Sequence, residues 1–246
     1  MSLFTRALAD GDRLDVGGVV VRLKVNARAR RVSLRLDRSR REVIATAPTP
    51  RRLPEAAAFA QDRAGWIAAR IAELPGAQVI RPGLVIQLFG EPCRLEAIAH
   101  PARFYPAEGF EPARIATRGE GDAFGQAVIR VIRREALKRF TQSVVIHCSA
   151  LGVKLPSVTM TDTRGRWGSC RGALRGKPAA IRLSWRLAMA TPEVANYVVA
   201  HECAHLLELN HSPRFWAHVA GLVGDMKPYR AWLRDHGAML QAFGGD

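Results

Sequence analysis

The chain has 246 residues, with 37 Lys and Arg against 22 Asp and Glu, a net charge of +15 and a pI near 11.0. Hydrophobic residues make up 48% and charged residues 24%, which excludes a wholly disordered chain and suffices for one large domain or two small ones. No apolar run approaches the ~18 residues that a membrane helix needs, so no membrane span is expected.

Residues 1–21 carry Asp10, Asp12 and Asp15 and lack an apolar segment, so no secretory signal is expected. Val19 to Leu23 is β-rich. Arg31 to Leu36 alternates strictly, with Arg31, Ser33 and Arg35 on one face and Val32, Leu34 and Leu36 on the other. That pattern predicts a half-buried strand, with Glu42 to Ala47 as its hairpin partner across a turn at Asp37–Arg41. Ala58, Phe59, Trp66, Ile67 and Ile71 recur at helical spacing, predicting one long helix from Pro54 to Leu74 that Pro75-Gly76 closes. Val79–Phe89 and Cys93–Ile98 predict a second hairpin, turning at Gly90-Glu91-Pro92. Residues 99–121 read as a loop or boundary.

A second region, 122–246, follows the β-rich region 1–121. Phe124 to Ser149 is amphipathic, with Val128, Ile132, Leu137 and Val144 as expected core positions. Val158–Thr161 and Ala180–Trp185 read as strands, and Arg164–Cys170 leads into a turn containing Gly172 and Gly176. Thr191 is placed to cap a helix that has Pro192 at its first position and extends to about Leu209. No internal repeat is visible. Strands mixed with long helices, without a regular βαβ alternation, predict an α+β fold.

Cys93, Cys148, Cys170 and Cys203 form no CxxC pair, which disfavours a disulfide framework and points to reduced thiols in a cytoplasmic protein. The basic excess is uneven. Residues 22–52 hold eleven Lys/Arg against two Asp/Glu, and residues 113–186 hold fifteen against four. Such blocks favour acidic partners, nucleic acid foremost, although a solvated basic surface has the same composition.

His201-Glu202-Cys203-Ala204-His205 is an HExxH segment inside the last predicted apolar helix. Residues four apart lie about 40° apart around a helix, so His201 and His205 project together and can share one ion. Glu202 sits about 100° round from His201, where a carboxylate can serve as general base to a water. A catalytic zinc site takes three protein ligands and keeps one open position. His211 is the favoured third ligand. Asn210 suits a helix end, and Ser212-Pro213 starts a new helix, so His211 lies in a tight reversal. Glu208 is the alternative, as ligand or as a group orienting a ligand histidine.

These residues, followed by Asn210-His211-Ser212-Pro213-Arg214-Phe215-Trp216, resemble the signature of the YgjP-like metallopeptidases. Arg166-Trp167-Gly168-Ser169-Cys170 and Ile181-Arg182-Leu183-Ser184-Trp185-Arg186-Leu187 are similar to the same family's hairpin, and the likeness extends over residues 19–240. The family is similar in turn to the SprT-like and WLM-type zincins, some of which cleave proteins crosslinked to DNA. The resemblance implies a zincin-like catalytic domain, Zn2+ on His201, His205 and His211, a catalytic Glu202, and a protein or peptide substrate. The chain departs from the family at Ser184, where asparagine is usual, and in a longer turn from Arg171 to Ala179. Both departures concern the substrate-facing rim. The resemblance names no specific substrate.

The strand near Trp167 and Gly168 could align a substrate by β-augmentation, with Gly168 permitting close approach or serving hairpin packing. Tyr197, Tyr229, Arg166 and His218 are candidates to stabilise an oxyanion. Cys203 reads as core, while Phe215 and Trp216 are expected to pack the last helices on the active one. His100, His147 and His236 have no constellation around them. The competing reading is a nucleic-acid-associated protein, with the zinc site as scaffold and the basic N-terminal half as binding surface. A third is metal-dependent hydrolysis of a bond other than a peptide.

Overall fold

Val19–Val25 and Glu42–Ala47 lie side by side as parallel strands, and this pairing organises the first of two compact units. The computed structural model describes residues 7–37, 41–74, 76, 78–163, 165–174 and 176–244. The centre of the turn expected at Asp37–Arg41, the helix stop at Pro75 and the lead residue Arg164 lie outside them, as does the start of the N-terminal segment.

The first unit, residues 1–76, holds β1 (Arg13–Val16), β2 (Val19–Val25), β3 (Ser33–Asp37) and β4 (Glu42–Ala47), in the spatial order β1-β2-β4-β3. Alternate positions Val19, Val21 and Leu23 of β2, with Val43, Ala45 and Ala47 of β4, point to one side. There they meet Leu53, Ala56, Ala60 and Ile67 from α1 (Leu53–Asp62) and α2 (Ala64–Ala72). The antiparallel β3–β4 hairpin forms as expected. The single helix expected over Pro54–Leu74 is two helices. Arg63 between them takes φ −105° and ψ 17°, outside the helical basin, and Gly65 in the following turn weakens continuation.

The second unit, residues 77–246, begins with β5 (Val85–Leu88), β6 (Glu91–Ala97), β7 (Arg103–Tyr105) and β8 (Ala113–Thr117). Their order is β5-β6-β8-β7, so two strands occupy the segment expected to be a loop. The units therefore divide near residue 76, not at 121 as the composition suggested. The reason is packing: Leu88, Leu95 and Ile115 share one core with Phe124, Val128 and Ile132 of α3 (Gly121–Leu151). Along α3, Leu137 is 39% exposed, against expectation; Ala136 and Phe140 take the buried side.

The two four-stranded sheets repeat one another in topology, which the sequence did not reveal. In the first, Leu14 pairs with Val21, Leu23 with Ala45, and Leu34 with Ala45. In the second, Ile86 pairs with Cys93, Leu95 with Ile115, and Phe104 with Ile115. Both opening hairpins turn on two residues at positive φ, Gly17-Gly18 and Phe89-Gly90, as a two-residue type I′ loop requires.

A third sheet, β10-β11-β9, comprises β9 (Ser157–Thr161), β10 (Gly168–Arg171) and β11 (Ala180–Ser184), with β10 at an edge. A 3-10 turn at Trp185–Met189 leads to α4 (Pro192–Ala204), α5 (Pro213–Val223) and α6 (Lys227–Ala242). Arg186, 1% exposed, ties this turn down: it pairs with Asp162, donates to the Phe243 carbonyl at 3.2 Å and lies over Trp185. The architecture is α+β. Among the described residues no helix is long and apolar enough to cross a membrane.

Candidate metal centre

Thr191 caps α4 by accepting from the Val194 N–H, and Pro192 occupies the first turn. The helix ends earlier than the sequence suggested. Its last residue is Ala204, and His205 is already the C-cap. Leu206, Leu207 and Glu208 bond back through their N–H groups to Cys203 and Ala204, so the chain tightens into turns before Asn210. Ser212 then caps α5 by accepting from Phe215, leaving His211 in the reversal between the helices.

This brings His201, His205 and His211 together. One ring nitrogen from each lies within 4.8 Å of the other two, and Nε2 of His201 stands 3.1 Å from Nε2 of His211. Three imidazole nitrogens converging at this spacing, with no carboxylate among them, fit a borderline cation such as zinc. His205 Nδ1 lies 2.9 Å from the Glu208 carbonyl. Donation there leaves Nε2 with its lone pair toward the centre. The orienting group is thus the backbone of Glu208; its carboxylate pairs with Arg214 at 3.1 Å and is not in the cluster. His201 Nδ1 is buried with no partner among the described residues.

Aromatic rings enclose the triad. The Phe215 ring centre is 4.8 Å from that of His201, 4.4 Å from His205 and 4.7 Å from His211, and Trp216 stacks on His211 at 5.4 Å. The expectation that Phe215 and Trp216 pack α5 on α4 understated their place: they touch the histidines themselves. Burial, reinforced by His205, His211 and Arg230, lowers the His201 pKa to about 4, and burial lowers that of His205. Both rings are therefore neutral near pH 7, as ligands must be.

Glu202 is 5% exposed. Burial raises its pKa to about 7, opposed by the positive charge of Arg166. Its carboxylate faces Gly168 at the start of β10, where an added Cβ would lie 2.5 Å from Oε1. The chain therefore brings four features together: a histidine triad, a buried carboxyl, an edge strand and an aromatic wall.

A family model described as YgjP-like, metallopeptidase domain, matches residues 30–236. The chain belongs to the YgjP-like metallopeptidase family. No curated protein and no solved structure matches it.

Other residues of this YgjP-like chain fall into place around the centre. Tyr197, 6% exposed, stacks on Tyr229 and meets His201 edge-on at 6.1 Å. Arg166 is exposed near Glu202, and His218 is partly buried on α5 outside the cluster. Cys203 is fully buried and shares a hydrogen bond with Cys148, as its core reading required. All four cysteines are unpaired, and burial pushes the Cys170 thiol up to about 12. His147 does have a constellation, contrary to expectation: it and Ser143 both reach Oδ1 of Asn196 at 2.8 Å, fastening α3 to α4. Ser143 and His147 share one face of α3, but Asn196 lies 49 residues beyond His147, and nothing in the sequence linked it to them.

Proposed function

We propose that this chain is a zinc-dependent peptidase, in which His201, His205 and His211 hold the ion and Glu202 is the catalytic general base. The observation that supports it is the convergence of three imidazole nitrogens, two of whose rings burial keeps neutral, beside a nearly buried carboxyl. Zinc, when bound, supplies a Lewis acid that lowers the pKa of water and polarises the scissile carbonyl. Glu202 takes a proton from the attacking water on its carboxylate and returns it to the leaving amine.

The edge of β10 offers main-chain groups to an extended peptide, and Gly168 brings that edge directly against Glu202. Arg166, whose charge acts on Glu202, and Tyr197, edge-on to His201, are the candidates to stabilise a developing oxyanion. The four unpaired cysteines suit a reducing, cytoplasmic setting.

The test is metal analysis of purified protein combined with a proteome-wide cleavage screen against Glu202→Gln. Zinc at one equivalent, with fragments produced by the wild type and not by the variant, is the expected result. Equal cleavage by both rejects the role of Glu202.

A further inference from the structure

The first unit carries a groove of about 510 Å³ that the metal centre does not use. It is lined by Arg31, Val32, Ser33 and Leu34 on one side and by Phe59, Arg63 and Trp66 on the other. Ser33 and Leu34 belong to β3, an edge strand paired only with β4, and Arg31 and Val32 lead into it. Phe59 lies on α1 and Trp66 on α2, with Arg63 at the joint between the helices. The break at Arg63 is what gives these three residues their relation. Phe59 precedes it by one turn, Trp66 follows it by one, and the Arg63 guanidinium sits 5.7 Å from the centre of the Phe59 ring.

Three observations bear on the occupant. Trp66 is 42% exposed and lies outside the buried core of its unit. Arg31 and Arg63 are exposed and have no carboxylate partner among the described residues, and no acidic side chain lines the groove. Residues 22–52, which contain one wall, hold eleven cationic side chains against two acidic ones. An apolar peptide would leave the guanidiniums unanswered, and an acidic peptide would leave the exposed Trp66 ring and the half-buried Phe59 ring unanswered. A strand of unpaired nucleotides answers both, because each base offers a π-face for stacking and each linkage a phosphate.

We propose that this groove binds single-stranded nucleic acid, with Trp66 and Phe59 as stacking surfaces and Arg31 and Arg63 as phosphate contacts. The site is separate from the proposed peptidase centre and stands or falls without it.

The experiment uses the full-length chain with fluorescein-labelled oligothymidine and oligouridine of about 15 nucleotides, matched to the footprint of a single-strand groove. Both should bind and quench the fluorescence that a Trp66→Phe variant lacks. A DNA duplex, whose bases are already stacked, should bind more weakly. Raising salt from about 50 to about 200 mM should weaken binding at least about sevenfold, the amount two single-strand phosphate contacts predict. Trp66→Ala should weaken it about tenfold or more. Trp66→Phe should retain most affinity, and Arg31→Ala with Arg63→Ala should flatten the salt dependence. Glu202→Gln should bind like the wild type, which separates this site from the hydrolytic one.

The proposal is overturned if neither oligonucleotide binds, or if Trp66→Ala, with an unchanged circular dichroism spectrum, binds as tightly as the wild type. It is also overturned if an oligoglutamate peptide displaces the oligonucleotide at equal concentration with the same dependence on Trp66, which would assign the groove to acidic protein segments.

Discussion

A Cβ atom placed on Gly168 would stand 2.5 Å from Oε1 of Glu202 and 2.6 Å from its Cγ, so the start of β10 lies against that side chain with no room for another. The glycine is needed less for backbone freedom than for this approach, since its φ is not positive. Gly168→Ala should fold and hold zinc, yet push the Glu202 carboxyl out of place. Misplacing a reacting group by about 1 Å costs on the order of a hundredfold in rate. Steady-state peptidase kinetics beside zinc stoichiometry check this. A variant within threefold of wild type would show that the contact does not position Glu202.

Glu202 also links stability to pH in the zinc-free protein. Its pKa is raised from 4.5 to about 7, chiefly by burial. The stabilisation it gives is therefore fully present below pH 4.5 and is lost as pH rises through about 7. Glu202→Gln removes this dependence. With a chelator present, the variant should gain stability relative to wild type between pH 5 and pH 8, by on the order of 2–3 kcal/mol. Denaturant titrations at the two pH values measure it. A difference that does not change with pH would mean that the carboxyl titrates normally.

His211 and Glu208 can be told apart as metal ligands. His211 is exposed, lies outside any helix and contributes a nitrogen to the cluster, whereas the Glu208 carboxylate is drawn toward Arg214. His211→Ala should leave the melting temperature of the chelator-treated protein nearly unchanged. It should weaken zinc binding by more than the 10–100-fold expected for loss of an orienting partner. Glu208→Gln should bind zinc like wild type, because the group that orients His205 is a backbone carbonyl. The reverse ranking in a competition titration would make Glu208 the ligand.

How much of this was legible beforehand depends on the distance over which each signal acts. The His201–His205 pair is a local consequence of helical period, and Ser212-Pro213 announced the helix whose start places His211. The early end of α4 was not visible, because Leu206, Leu207 and Leu209 continue an apolar pattern after the chain has left the helix. β7 and β8 were missed for a different reason. Arg103-Phe104-Tyr105 is too short to show a period, and Ala113–Thr117 lies between neighbours on both sides, so its buried residues do not alternate. The repeated sheet topology survives in strand registers rather than in residue identities. Trp66 was taken as part of a continuous apolar face, and only the break at Arg63 sets it beside an open groove.

Ser184 supplies the last prediction. It is fully buried at the end of β11, and its N–H donates to the Trp167 carbonyl at 2.8 Å, but its Oγ has no partner among the described residues. A buried hydroxyl without a hydrogen bond costs about 1–3 kcal/mol. Removing the oxygen in Ser184→Ala leaves only a small gap, and the backbone bond that holds β10 to β11 does not depend on the side chain. The variant should therefore be more stable, by about 1 kcal/mol, which corresponds to a rise of about 2–4 °C in Tm for a chain of this size. Scanning calorimetry of the two proteins decides the matter. A fall in Tm would mean that Oγ is satisfied in solution, and the polar character of residue 184 would then be part of what holds the strand beside Glu202.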